Sequence, residues 1–205
     1  MKREIYILVG LLTVTQILGC ATVERSAYLK SDIPFQKGEF VEKYYKDPNF
    51  KITDYPEVLI QMDSYDVVND TKTVDLRSLK DYLKTITRVE LKNSGIFEKV
   101  SDVEDDAKQI SSKKLICTLA ITRLDPGSRA MRWMFGELGA GHTHVQVEGK
   151  LIDYETGKEL FAFADHRAGA AVLDITGGDP TTYIREDITN IVAGLVKTLL
   201  AVSRE

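Results

Sequence analysis

Apolar residues recur along this chain with two different periods, and those periods predict its elements. From Leu76 to Asn93 the positions Leu76, Leu79, Leu83, Ile86 and Val89 fall three and four apart, the stripe of an amphipathic helix. Asp75 is placed to cap its start and Gly95 to stop it. A second helix is expected after Asp179, another cap, with Pro180 suited to its first turn. Ile184, Ile188, Ile191, Val192, Leu195, Val196 and Leu199 give it one broad apolar face. Arg185, Glu186, Asp187 and Lys197 line its other side, so that face should pack on the domain's own sheet rather than on a membrane or partner. Strands are predicted at Val58–Met62, near Ile96–Val100, along Lys114–Leu124, and at Val145–Leu151, where alternation with polar residues implies one wet face.

Turn chemistry connects these pieces. Asp125-Pro126-Gly127 reverses the chain after the long strand, and Glu155-Thr156-Gly157 reads as a hairpin with glycine in the left-handed region. The returning strand carries Leu160, Phe161 and Phe163. A three-residue loop sets Phe163 opposite Gly149, where an aromatic covers the missing side chain, and brings His166 diagonally near His144. The resulting order predicts an α/β (α+β) sandwich, a mixed sheet of about four to five strands with two helices on one face. Residues 56–205 form a single domain in this reading. Residues 20–55 differ: charged, rich in tyrosine, carrying Pro34 and Pro48 and no sustained apolar period, they are expected to be a tether. Phe35, Phe40, Tyr44 and Tyr45 would let it pack in part.

The start of the chain has a pattern of its own. Met1-Lys2-Arg3 precedes an uncharged stretch from Ile5 to Leu18, and Ile17-Leu18-Gly19-Cys20-Ala21 closes it. A basic start, an apolar core and small residues at its end are the layout of an export signal. The core falls short of the ~20 apolar residues a spanning helix needs. With cysteine directly after the small residue, the segment resembles the lipobox of bacterial lipoprotein precursors; Glu4 and Ile17 are departures from the usual pattern. The resemblance implies a signal peptide over residues 1–19, cleavage before Cys20, and acylation of the Cys20 thiol and amine. Several acyl chains hold a protein to a bilayer where one holds it only marginally. In the lipoproteins this segment resembles, aspartate after the cysteine favours inner-membrane retention, so Ala21 implies, by that resemblance, the outer membrane.

Charge narrows the partners. The chain has 205 residues and a formal net charge of -4; loss of Lys2, Arg3 and Glu4 with the signal moves it to about -5. Such mild acidity argues against nucleic acid, which needs a basic face, and no lysine-arginine cluster forms a polybasic membrane patch. With Cys20 acylated, Cys117 has no disulfide partner, and within Leu115–Ile121 it reads as a small buried hydrophobe.

The densest run of unusual residues lies between Asp125 and His144. Gly136, Gly139 and Gly141 are followed by a strand, not by the helix N-terminus of a phosphate loop, so they read as turn and close-packing glycines. His142 and His144 share one strand face and His166 would join them, giving a three-histidine zinc site as the alternative to ordinary solvated histidines. Arg129, Arg132 and Trp133 are the candidate interaction residues, because arginine and tryptophan concentrate where proteins dock. Ser128 follows Pro-Gly without a base beside it, and no glycine-x-serine-x-glycine elbow is present. No catalytic constellation or cofactor is therefore expected.

Asp-Pro-Gly-Ser-Arg at Asp125–Arg129, Arg132, the glycine-alanine-glycine turn at Gly139–Gly141, the alternating strand and the Thr156-Gly157 hairpin together resemble a family of bacterial lipoproteins known only as a domain of unknown function. The likeness covers roughly residues 115 to 200 and implies no activity. Ser94-Gly95-Ile96-Phe97 is similar to the helix-to-edge-strand junction of small envelope α/β domains, such as those of curli-secretion and penicillin-binding-protein-activating lipoproteins. The expectation is a lipid-anchored envelope protein on the periplasmic face of the outer membrane, with a non-enzymatic domain that binds a partner protein. A small-ligand or metal-binding hydrolytic domain, and a self-assembling envelope component, are the alternatives.

Overall fold

The computed structural model describes residues 23, 26–65, 67, 74–103, 113–128, 141–169 and 179–204. Three long antiparallel strands form the centre: β5 (Lys114–Asp125), β6 (Thr143–Asp153) and β7 (Glu159–Gly169). The β6–β7 turn is built by Asp153, whose Oδ1 accepts from the backbone N–H groups of Glu155 at 3.0 Å and Thr156 at 2.8 Å. Gly157 supplies the left-handed residue at φ 68°. The register places Phe163 opposite Gly149 as expected, but by another route: Asp153 bonds Lys158 across a four-residue turn, and a register shift between Leu151 and Ile152 restores the alignment. A Cβ on Gly149 would lie 2.4 Å from the Phe163 ring, so the ring occupies the space the glycine leaves.

Beside β5 runs β3 (Glu57–Met62), parallel to it, and β4 (Lys99–Asp102) pairs parallel with β3 at the sheet edge. Parallel neighbours need a crossover, and α1 (Leu76–Ser94) provides it. Asp75 caps this helix by accepting from the Ser78 N–H, and Gly95 at φ 68° ends it. The second helix, α2 (Pro180–Val202), begins at the Asp179 cap. Its apolar residues Ile184, Ile188, Ile191, Val192, Leu195 and Leu199 are buried with Leu79, Leu83 and Leu91 of α1 against Leu115, Cys117, Leu119, Val145, Val147 and Phe161 of the sheet. The helices are joined to each other by Tyr82 and Thr189, whose hydroxyls lie 2.8 Å apart. Among the described residues no helix is long and apolar enough to cross a membrane.

The sheet is larger than the four to five strands expected. Among the described residues it has seven, in the order β1-β2-β7-β6-β5-β3-β4. The additional two, β1 (Gln36–Lys37) and β2 (Lys43–Lys46), come from the segment expected to be a tether. Periodicity misses them because β2, Lys-Tyr-Tyr-Lys, is short and half-buried at every position, pairing with β7 through its backbone while Tyr44 stacks on Phe161 and Tyr45 packs on the opposite side. The same segment adds Val41, Phe50 and Ile52 to the main core. At Gly194 of α2 a Cβ would stand 2.3 Å from the Phe40 carbonyl, so the chain crosses this helix at backbone contact. Arg167 fastens that crossing, donating to Phe40 O at 3.3 Å and pairing with buried Asp165 at 2.8 Å.

Candidate binding face

Strand alternation divides the sheet chemically. Val145, Val147 and Leu151 belong to the core beneath the helices, so His144, Gln146, Glu148 and Lys150 point to the opposite face. On β7 the same face carries Ala162, Ala164 and His166, the cross-strand partners of Lys150, Glu148 and Gln146. A bulge in β5 adds Thr122: Ile121 pairs with Val147 and Arg123 with Gln146, leaving Thr122 over.

These polar residues form one connected network. Gln146 Nε2 donates to Glu148 Oε1 at 2.7 Å and to Thr122 Oγ1 at 3.1 Å. Thr122 Oγ1 in turn donates to Glu148 Oε1 at 2.9 Å. The other carboxyl oxygen, Glu148 Oε2, accepts from the Ser26 hydroxyl at 2.7 Å. Ser26 belongs to residues 26–35, a strap lying across this face. Its Tyr28 donates to Thr118 Oγ1 at 2.9 Å and sits beneath the Lys150 ammonium at 4.8 Å. Burial pushes the Tyr28 phenol above its usual range, while the Thr118 contact opposes that. Leu29 packs on Ala162 and Ala164, where small side chains leave it room. Lys30 reaches Glu159 at 3.4 Å.

The strap changes the character of the face. A wet face was expected, yet Gln146 is 1% and Glu148 2% exposed. The polar pattern is legible in the alternation; the cover comes from residues more than a hundred positions away. His166, expected to be solvated, is buried as well. Its ring stacks on His144 with centroids 5.3 Å apart and planes 21° from parallel, the diagonal pairing expected from the hairpin register. His142 precedes β6. Among the described residues no group of three or more histidine, cysteine, aspartate or glutamate side chains is placed to hold a metal ion.

Where the strap meets β2, a cleft of about 270 Å³ is lined by Val23, Leu29, Lys30, Phe35, Lys43 and Glu148 among others. Lys43 stands over the Phe35 ring at 5.1 Å. The Val23 N–H donates to both carboxyl oxygens of Glu42, at 2.7 and 2.8 Å, which fixes the chain at the rim of this cleft. Cys117 lies on the core side, fully buried, and burial pushes its thiol up to about 12, so it is inert as expected.

Cys20, Arg129, Arg132 and Trp133 lie outside the described residues. The ends of the segment holding the last three are described. The Ser128 N–H donates to Gly141 O at 3.2 Å, closing a neck at the end of the β5–β6 ladder. Gly127 is required there, at φ 64°, because a Cβ would fall 2.2 Å from Gly141 O. Sequence reasoning missed Ser26, Tyr28 and Thr122 altogether. A bulge leaves no mark in periodicity, and the strap contacts are long-range.

A family model described as a domain of unknown function (DUF4410) matches residues 54–172. No curated protein matches the chain. Among solved structures the chain is similar to the PelC dodecamer from Paraburkholderia phytofirmans, with 14% identity and a TM-score of 0.42 over 74% of this chain and 94% of that one. It is also similar to a protein from Xanthomonas campestris of family DUF330, with 11% identity and a TM-score of 0.45 over 78% and 91%.

Proposed function

The chain belongs to the DUF4410 family of domains of unknown function, and we propose that it is a lipid-anchored protein of the bacterial cell envelope, facing the periplasm from the outer membrane, whose domain binds a partner protein without catalysing a reaction. The anchor rests on the lipobox-like run Ile17-Leu18-Gly19-Cys20. The observation that carries the non-enzymatic reading is the state of Glu148. Its carboxyl lines the cleft, but both oxygens are taken up by Ser26, Thr122 and Gln146. A carboxyl engaged in this way holds the strap on the sheet. Partner contact is assigned to Arg129, Arg132 and Trp133, in the segment between Ser128 and Gly141, two residues joined by a backbone hydrogen bond. Such a segment can serve recognition without disturbing the ladder that carries it.

The cleft favours a second reading. With Lys30 and Lys43 beside Leu29 and Phe35, it suits a small amphipathic ligand.

Crosslinking in living cells tests the first reading. The native protein is purified under denaturing conditions, partners are identified by mass spectrometry, and a Cys20→Ser form is the unanchored control. One dominant envelope protein, lost in that control and in an Arg132→Ala/Trp133→Ala variant that still melts cooperatively, supports an accessory role. Self-crosslinks alone indicate an assembly of like chains, and their absence together with all others favours the ligand.

A further inference from the structure

The position of Val23 relative to Cys20 determines how the body stands on a membrane. Only two residues, Ala21 and Thr22, separate them. Three peptide steps reach at most ~11 Å. Val23 itself is held on the body by its N–H bonds to the Glu42 carboxyl. The strap that follows is pinned by Ser26 to Glu148, Tyr28 to Thr118 and Leu29 to Ala162 and Ala164. An acylated Cys20 therefore has no long tether between it and the fold.

We infer that the strap side of the domain, around Val23, Lys30, Ser31, Phe35 and Lys37, rests on the lipid surface, with α1 and α2 turned away from it. The inference rests on the lipid anchor proposed above. The fold has three layers, strap, sheet and helices, so the outer side of α1 stands about 20 Å from the strap at ~10 Å per layer. Lys30, Ser31 and Lys37 are exposed on the near side, and Lys92 on the far side. Lys30, whose side chain is 67% exposed, and Lys43 bring ammonium groups to the cleft rim. On a lipid surface these ammonium groups face headgroup phosphates, beside the Glu159 carboxylate that pairs with Lys30 and the exposed Asp32. Of the tether expected over residues 20–55, the part from Ser26 onward packs on the body, which leaves only a short stretch of chain between Cys20 and the fold.

Depth-dependent quenching tests this on full-length lipidated protein in vesicles of phosphatidylethanolamine and phosphatidylglycerol carrying a headgroup-level quencher. Ser31→Cys, Lys37→Cys and Lys92→Cys each accept one thiol-reactive fluorophore, since Cys117 is buried. The labels at 31 and 37 should be quenched several-fold more strongly than the label at 92. Inserting about 20 glycine and serine residues after Ala21, a spacer of roughly 25 Å, should abolish the difference while the protein still sediments with the vesicles. Intact mass establishes whether Cys20 is acylated. Acylated protein with equal quenching at all three labels overturns the inference and leaves the anchor standing. An unacylated Cys20 overturns both.

Discussion

At the scale of single residues, packing and charge make opposite demands at two separate positions. Gly149 is required by the ring above it: the Phe163 ring, Leu119 Cδ2 and Thr118 O stand 2.4, 2.9 and 3.0 Å from where a Cβ would be. Gly149→Ala should destabilise the fold by about 1–3 kcal/mol, read as a lower denaturation midpoint with unchanged slope. Asp187 makes the contrary case. It faces the core side of the sheet, 8% exposed, with Oδ2 lacking a hydrogen bond and lying against Gly169 of β7. Burial, reinforced by Glu186 and opposed by Arg167, raises its carboxyl from 3.8 to about 6. The folded state then binds the proton more tightly than the unfolded one, so this group favours folding below pH ~4 and loses that contribution as pH rises to ~6. Asp187→Asn should therefore gain stability above pH ~7, on the order of 1 kcal/mol after screening, and little at pH ~4. Melting curves at the two pH values check the sign. The pairing of Gly149 with Phe163 was legible only on the assumption of a three-residue loop; the structure reaches it through a four-residue turn and a register shift. The strain at Asp187 was not legible, because its position on α2 reads as polar and solvated.

At the scale of elements, helices and the hairpin follow local chemistry while the strap does not. Asp75 and Asp179 cap their helices and Gly95 and Gly157 take left-handed conformations, all as the sequence predicts. Asp153 shows how a turn holds charge. Burial would raise its carboxyl, but donors from Thr156, Tyr55 and Glu155 outweigh that and hold it below the usual range. Asp153→Ala should loosen the β6–β7 turn, and hydrogen exchange at Thr156 and Lys158 should speed up. The strap depends on partners distant in the chain. Removing the Ser26 hydroxyl leaves Glu148 Oε2 without its donor, a cost of about 1–3 kcal/mol. Ser26→Ala should raise hydrogen exchange across residues 26–35 while α1 and α2 keep their protection. Equal loss everywhere would mean that the strap and the body unfold as one unit.

At the scale of the whole molecule, the extent of the domain is the main outcome. A chain cut to residues 56–205, the body expected from periodicity, lacks Val41, Phe50 and Ile52 of the core and leaves β7 an unpaired edge. It should aggregate or melt without cooperativity, whereas residues 21–205 should show one transition by calorimetry. What the sequence by itself determined is whatever depends on near neighbours: the apolar face of α2, the helix caps, the turn glycines, the buried inert Cys117 and the export-signal pattern at the start. The number of strands, the burial of Gln146, Glu148 and His166, and the seating of the strap were decided only by the tertiary structure. Backbone pairing at an edge needs no apolar signature, and a polar face becomes buried only when a distant segment brings donors to its acceptors.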